Sequence, residues 1–107
     1  MDFSQKHCVP CEGGVSPLTP EKSKEYLESV NNWDLIEGNK RIKKTFKFKD
    51  FKKAMEFVNQ VADIANAEDH HPNIHIFYNK VEIELWTHAI GGLFDNDFIM
   101  ASKIDKI

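Results

Sequence analysis

Residues 68–88 read EDHHPNIHIFYNKVEIELWTH, and this stretch decides the fold that the sequence predicts. The motif His70-His71-Pro72 ends any helix that reaches it, because proline lacks a backbone donor and disfavours helical angles in the residue before it. Apolar residues then alternate with polar ones on both sides of Asn79 and Lys80. This alternation predicts a β-hairpin whose two-residue turn is formed by Asn79 and Lys80.

The predicted hairpin brings histidines from its two ends together. With a turn at Asn79 and Lys80, opposed residues have numbers that sum to about 159. His71 then faces His88 at the open end of the hairpin, and His70 lies beside His71. Imidazole exchanges protons near neutral pH, because its unperturbed pKa is about 6.5. The sequence therefore places a candidate acid–base pair at one end of a sheet.

The segments outside the hairpin predict an α+β fold with two layers. Thr19 caps a helix that runs to about residue 31, and strands follow at 33–37 and 41–48. Asp50 caps a second helix over residues 51–67, and a last helix spans about 95–104. The order is therefore helix, strand, strand, helix, strand, strand, helix. Because every strand pair is a hairpin, we expect a four-stranded antiparallel sheet with the helices packed on one face.

Two further patterns predict self-association. Phe57 and Ile64 lie off the main apolar stripe of the second helix, which indicates a second apolar face. The strand at residues 80–86 carries no proline or bulge signal that would protect an edge of the sheet. We therefore predict that this strand pairs with its own copy across a two-fold axis, giving a homodimer or a homotetramer.

Composition excludes several classes of function. The chain has 107 residues, is 29% charged and has a net charge of −3, which gives no electrostatic footprint for nucleic acid. No apolar run approaches the ~20 residues of a membrane span, and no signal sequence is present. We therefore expect a cytoplasmic protein that binds no membrane, with an irregular arm at residues 1–18 and a single domain at 19–107.

The arm carries the only two cysteines, Cys8 and Cys11. In a cytoplasmic chain they are expected to be reduced. A Cys-x-x-Cys pair is half of a tetrahedral zinc site or one redox couple, but the sequence supplies no second half. A site shared between two subunits would supply it, so zinc binding or redox chemistry stays open beside the favoured interpretation, a terminal flap.

The spacing of the histidines resembles one enzyme family. His70-His71-Pro72, Tyr78, His88, Gly91-Gly92-Leu93 and Asp97 together are similar to the pterin-4a-carbinolamine dehydratase family, and the arm resembles bacterial-type members. The resemblance implies a hydro-lyase that converts 4a-hydroxytetrahydropterin to quinonoid dihydropterin. Such an enzyme supports tetrahydrobiopterin recycling for an aromatic amino-acid hydroxylase, and it needs no metal or organic cofactor. The resemblance gives His70 and His88 the acid–base roles.

Four residues are expected to bind the substrate: His71, Pro72, Trp86 and Asp97. Asp97 lies in the first turn of the last helix, where the helix dipole stabilises a carboxylate. That carboxylate can hold an imidazolium or a pterin amine, or simply cap the helix.

Other interpretations stay open. A metal site formed by His71, His75 and Glu68 is disfavoured, because His75 lies in mid-strand and points across the sheet. A non-catalytic dimerisation or interaction module would use an exposed surface of the long helix at Phe57. A third interpretation keeps the chemistry and changes the substrate to a molybdopterin-type pterin. The chain also departs from the family at Asn66, Ile74 and Phe94, and Asp95 is expected to cap the last helix in place of a common threonine.

Overall fold

The computed structural model describes residues 3–9 and 13–107, and the α+β architecture predicted from the sequence is confirmed. The helices are α1 (Pro20–Leu27), α2 (Phe51–Glu68) and α3 (Asp95–Asp105), and the strands are β1 (Asp34–Ile36), β2 (Arg41–Lys47), β3 (Asn73–Phe77) and β4 (Lys80–Leu85). Short 3₁₀ helices lie at Phe3–Gln5 and His88–Ile90. Among the described residues, no helix combines the length and the apolarity that crossing a membrane requires.

The four antiparallel strands are ordered β1-β2-β4-β3, which places β4 inside the sheet. The prediction that this strand is an exposed edge is therefore wrong, because β2 pairs along its whole length from Ile42 opposite Leu85 to Lys47 opposite Lys80. The free edges belong to β1 and β3. Pairing between β2 and β4 is non-local, and no local pattern in the sequence reports it.

The β3–β4 turn also differs by one position from the predicted turn. Phe77 pairs with Lys80, so Tyr78 and Asn79 form the loop in place of Asn79 and Lys80. Tyr78 adopts a positive φ of 53°, and the Asn79 side chain donates to the carbonyl oxygen of Phe48 at 3.1 Å. This bond ties the turn to the strand beside it. The register moves by two residues, so the apolar face predicted for both strands is unchanged.

One face of the sheet packs against the helices and forms the core. The buried sheet residues are Ile42, Val81, Ile83 and Leu85. The expectation that Phe57 presents a second, exposed apolar face on α2 is wrong. Its side chain is buried against the rings of Phe46 and Phe48, with centroids 4.6 and 4.9 Å away.

Helix ends follow the predicted caps with two exceptions. Thr19 accepts a hydrogen bond from the Lys22 backbone, and Asp50 does the same for Lys53. Helix α1 ends at Leu27, earlier than expected, because the following backbone bonds tighten to the i→i+3 pattern. Helix α3 begins after Phe94, so Asp95 lies inside the helix and does not cap it.

Two distant contacts attach the chain ends to this core. Asp105, in the last turn of α3, accepts hydrogen bonds from Lys44 Nζ at 2.7 Å, Trp33 Nε1 at 3.1 Å and the Asn31 backbone at 2.9 Å. At the other end of the chain, Phe3 is fully buried against the ring of Phe98. The start of the arm is therefore part of the folded unit.

Candidate functional site

The turn between α2 and β3 positions the first two histidines. Helix α2 stops at Asp69, which takes the left-handed conformation with φ 53°. Pro72 then prevents a return to helical angles. His70 and His71 consequently lie on an irregular segment at one end of the sheet, with the His70 backbone N–H still bound to the Ala65 carbonyl.

His88 is positioned by the turn that follows β4. The Thr87 backbone pairs with Gly92 in an isolated β-bridge, with a Thr87 N to Gly92 O distance of 2.8 Å. Gly91 closes the turn with φ 63°, a left-handed conformation that glycine adopts at no steric cost. His88 starts this turn and is carried back toward the end of α2.

The two histidine segments line one cavity of about 540 Å³, a volume within the usual range for small-molecule sites. Its walls are Cys8, Val9, Glu68, Asp69, His70, His71, Thr87, His88, Ala89 and Asn96. The structure brings His70, His71 and His88 to one site. The predicted register that sets His71 directly opposite His88 is wrong, because opposed residues of β3 and β4 have numbers that sum to 157 and not to 159. Pro72, Trp86 and Asp97 lie next to these histidines but do not line the cavity as the described residues define it.

A buried carboxylate holds His70 in place. Asp97 has no exposed side-chain surface, and its Oδ1 accepts a hydrogen bond from His70 Nε2 at 2.6 Å. Its Oδ2 accepts from the Thr87 hydroxyl at 2.9 Å and from the Phe94 backbone N–H at 3.0 Å. Both oxygens are therefore engaged with the protein. Because Nε2 faces Asp97, Nδ1 is the remaining nitrogen of His70 for proton exchange.

The other two cavity histidines have different surroundings. His71 Nε2 donates to the side-chain oxygen of Asn66 at 3.1 Å, so Asn66 orients an exposed imidazole. The His88 ring stacks on Trp86 with centroids 4.1 Å apart, and Arg41 Cζ lies 3.8 Å above the Trp86 ring. Trp86 therefore contacts the cavity lining through the ring of His88.

The metal site considered for His71, His75 and Glu68 does not form. His75 lies on the outer face of the sheet, where its ring and the carboxylates of Glu82 and Glu84 fall within 4.8 Å of one another. Glu84 pairs there with Arg41 at 3.2 Å, and Glu82 lies 3.8 Å from Lys43. His71 and Glu68 line the cavity, and His75 does not.

Sequence reasoning missed two parts of the site. Thr87 is the hydroxyl partner of Asp97, and its place one residue before His88 was a signal that could have been used. Cys8, Val9 and Asn96 form the remaining wall, which joins the arm to α3. No local pattern connects segments that far apart. The Cys-x-x-Cys pair cannot be followed further, because Cys11 lies outside the described residues.

Two buried groups at this wall have shifted pKa values. Burial raises the pKa of the Cys8 thiol to about 12, and the nearby Glu68 and Asp97 carboxylates add to the rise. Burial also raises the pKa of Glu68, but hydrogen bonds from the Cys8 backbone and His7, with the charge of Lys103, outweigh it. The pKa of Glu68 therefore lies below its ordinary value, and Glu68 is an anion at neutral pH.

Known proteins match both the sequence and the fold. The family model described as pterin 4 alpha carbinolamine dehydratase matches residues 16–107. A Nitrosospira multiformis protein provisionally named pterin-4-alpha-carbinolamine dehydratase is 46% identical over 106 residues, which cover 99% of this chain and 92% of the relative. A Legionella pneumophila protein with the same provisional name is 47% identical over 107 residues, covering 99% of this chain and 95% of the relative.

A solved structure shows the same architecture. The crystal structure described as a transcriptional coactivator/pterin dehydratase from Brucella melitensis is similar with a TM-score of 0.81 and 36% sequence identity. The matched region covers 85% of this chain and 97% of that chain.

Proposed function

The chain belongs to the pterin-4a-carbinolamine dehydratase family and is an enzyme of the hydro-lyase class, and from that premise we propose that His70 and His88 carry its proton transfers. The resemblance inferred from the histidine spacing is confirmed at the level of the family. The substrate we propose is a pterin that bears a hydroxyl on ring carbon 4a.

Loss of water from this substrate needs one proton delivered and one removed. The departing hydroxyl takes a proton and leaves as water, while the neighbouring ring nitrogen gives up its proton and forms a double bond to the carbon. His70, with Nε2–H bound to the buried Asp97 carboxylate, suits the base that receives the ring proton at Nδ1. His88 then suits the acid, and no metal is required for either transfer.

One observation carries this proposal. His70 and His88 line the same cavity, and His70 has its far nitrogen fixed by a carboxylate with no exposed surface. An imidazole held in this way has a defined tautomer and a fixed ring orientation. Asp97 thereby becomes a positioning residue in our proposal, in place of the direct substrate contact expected from the sequence. His71 remains a proposed substrate-binding residue. Trp86, expected from the sequence to bind the substrate, does not line the cavity, and we propose that it orients His88 instead.

Alanine variants in a stopped-flow pterin assay test the assignment. His70→Ala and His88→Ala are each expected to lower kcat by roughly 10²–10⁴-fold, the contribution of a general acid or base. His71→Ala is expected to raise KM more than it lowers kcat. His75→Ala is the matched control, because it makes the same change on the outer face of the sheet. Full activity in both His70→Ala and His88→Ala would show that the assignment is wrong.

The physiological role follows from which pterin the cavity accepts. We propose a cytoplasmic role in tetrahydrobiopterin recycling with an aromatic amino-acid hydroxylase as functional partner. The alternative substrate is a molybdopterin-type pterin. Measuring kcat/KM for the 4a-carbinolamine and for a molybdopterin-type pterin separates the two, because the ratio of these constants measures specificity. A larger value for the molybdopterin-type pterin would contradict the proposed role.

A second candidate is a binding role, which the description of the Brucella melitensis structure as a coactivator favours. Such a role would survive loss of the cavity histidines. Because Phe57 is buried, the exposed Phe51 at the start of α2 is the better position for a partner-disrupting variant. A pull-down that depends on Phe51 but not on His70 would support binding as a separate activity.

We further propose that the chain forms a homodimer or homotetramer through the edge of β3. This strand is an edge of the sheet, and its Ile76 and Phe77 are exposed. Pairing two copies satisfies the free backbone groups of both edges in an isologous interface. Light scattering at micromolar concentration is expected to give a multiple of 12.4 kDa, and a monomer mass would contradict the proposal.

A further inference from the structure

The N-terminal arm supplies one wall of the cavity that holds the histidines. Cys8 and Val9 line this cavity together with His70 and His88. Neither arm residue lies in a helix or strand, and Val9 is half exposed. Core packing alone does not fix the position of this segment, so specific contacts must do so.

Asn96 provides the first of these contacts. Its side-chain oxygen accepts from the Val9 backbone N–H at 2.9 Å, and its side-chain nitrogen donates to the Val9 carbonyl at 2.7 Å. The amide thus satisfies both backbone groups of one residue, as a neighbouring β-strand would. Asn96 is almost fully buried and lies next to Asp97 on α3. This contact therefore fixes the position of the arm relative to the helix that holds His70 in place.

Glu68 provides the second contact from α2. Its Oε1 accepts from the Cys8 backbone N–H at 2.7 Å, and its Oε2 accepts from His7 Nδ1 at 3.0 Å. Lys103 Nζ lies 3.8 Å from the same carboxylate and offsets its charge. Charge-assisted hydrogen bonds of this kind are stronger than neutral ones. Side chains of α2 and α3 therefore hold consecutive residues of the arm through hydrogen bonds.

We propose that Cys8 and Val9 form a substrate-binding wall that packs on the planar pterin ring, with Asn96 and Glu68 as the positioning residues that hold it. This inference rests on the proposed function and names a further determinant of its substrate affinity. The Val9 side chain offers apolar surface, and Cys8 adds a thiol hydrogen-bonded to the Asn96 carbonyl at 3.6 Å. A planar heterocycle gains affinity from burial of its faces between such walls.

The chemistry of Cys8 fits a passive wall. Burial holds the pKa of its thiol at about 12, so the sulfur stays protonated at neutral pH. A protonated thiol is neither a nucleophile nor a metal ligand, since both functions need the thiolate. Proton exchange with the pterin is accordingly left to the imidazoles across the cavity.

Releasing the wall is expected to weaken substrate binding without removing the chemistry. Asn96→Ala removes both hydrogen bonds to Val9, and we expect KM to rise about tenfold, the size of one or two neutral hydrogen bonds. The change in kcat is expected to stay within about threefold, because His70 and His88 are intact. Asn59→Ala, on the exposed side of α2, is the matched control and is expected to leave both constants unchanged.

A variant on the arm itself guards against misfolding of the Asn96 variant. Val9→Ala shortens an exposed side chain and leaves in place the backbone hydrogen bonds that Asn96 and Glu68 make to the arm. We expect the Kd for biopterin, measured by its fluorescence, to rise by roughly threefold in Val9→Ala and tenfold in Asn96→Ala. Hydrogen exchange at the Cys8 and Val9 amides is expected to slow when biopterin binds to the wild-type protein.

The outcomes separate this inference from the function on which it rests. A wild-type protein without dehydratase activity would overturn the proposed function. An active wild type whose KM and biopterin Kd are unchanged in both Asn96→Ala and Val9→Ala would overturn the wall alone. Equal losses of kcat and affinity in a folded Asn96→Ala would also overturn it, because they would indicate disturbance of Asp97 and not loss of a wall.

Discussion

Helix α3 carries a buried carboxylate at each end, and the two ends differ in what they hold. Asp97 in the first turn binds His70, the Thr87 hydroxyl and a backbone N–H. Asp105 in the last turn binds Lys44, Trp33 and a backbone N–H. Both side chains are nearly inaccessible, at 0% and 5% exposure. The partners differ in kind: one carboxylate holds a titratable imidazole at a cavity, which is the role we propose for catalysis, while the other holds a permanent cation and is structural.

The largest effect, on kcat, is expected at the Asp97 end of α3. Asp97→Asn keeps the shape of the side chain but replaces the carboxylate that accepts from His70 Nε2 by an amide that can present a donor, so the tautomer of His70 is no longer fixed. We expect kcat to fall by roughly 10²–10⁴-fold with a smaller change in KM. Stopped-flow kinetics and a chemical denaturation curve on the same sample check this. A stable variant with wild-type kcat would break the comparison, since Asp97 would then be no more than a helix cap.

A smaller effect of a different kind is expected at the structural end. Asp105→Ala leaves the Lys44 ammonium, which is 15% exposed, without its carboxylate and the Trp33 indole without an acceptor. We expect the free energy of unfolding to fall by about 2–3 kcal/mol, while kcat at a temperature where the variant is folded stays unchanged. Urea unfolding measures the first and the pterin assay the second. Loss of kcat without loss of stability would contradict the assignment of the two ends.

The smallest effect concerns Glu68, a third carboxylate. Like Asp97 it contacts a histidine, and like Asp105 it lies near a lysine. Its pKa is depressed in the folded state, so the stability it contributes is present above its ordinary pKa of 4.5 and is lost as the pH falls through the folded value. We expect Glu68→Gln to be less stable than wild type at neutral pH and to converge with it below that range. Thermal unfolding across pH checks this. A constant difference at all pH values would show that charge is not what Glu68 contributes.

The parts of this comparison differ in how far the sequence predicts them. The caps at Thr19 and Asp50 follow from neighbours within a few residues, and the structure confirms them. The grouping of His70 with His88 follows from the hairpin pattern between them, and both line one cavity. Local sequence patterns predict such features because each cap or strand alternation is complete within its own segment.

What the sequence does not predict depends on distant segments. The interior place of β4 depends on its pairing with β2, and the burial of Phe57 depends on two phenylalanines from another strand. The turn at Tyr78 and Asn79, one position from the predicted turn, is attached to a distant residue, because the Asn79 side chain donates to the Phe48 carbonyl oxygen. The arm is the extreme case, since its position is defined by Glu68 and Asn96 from two other elements.

The strand order has a consequence for how the chain acquires its fold. The hairpin of β3 and β4 closes through a two-residue loop, whereas β2 reaches β4 only after the whole of α2 has been spanned. Short loops close with less loss of chain entropy, so the hairpin is expected to form early and its docking on β2 to limit the folding rate. The histidines at the two ends of that hairpin would meet in a nascent state, before Asp97 arrives to fix His70. The chain would then become compact before His70 has the carboxylate that orients it.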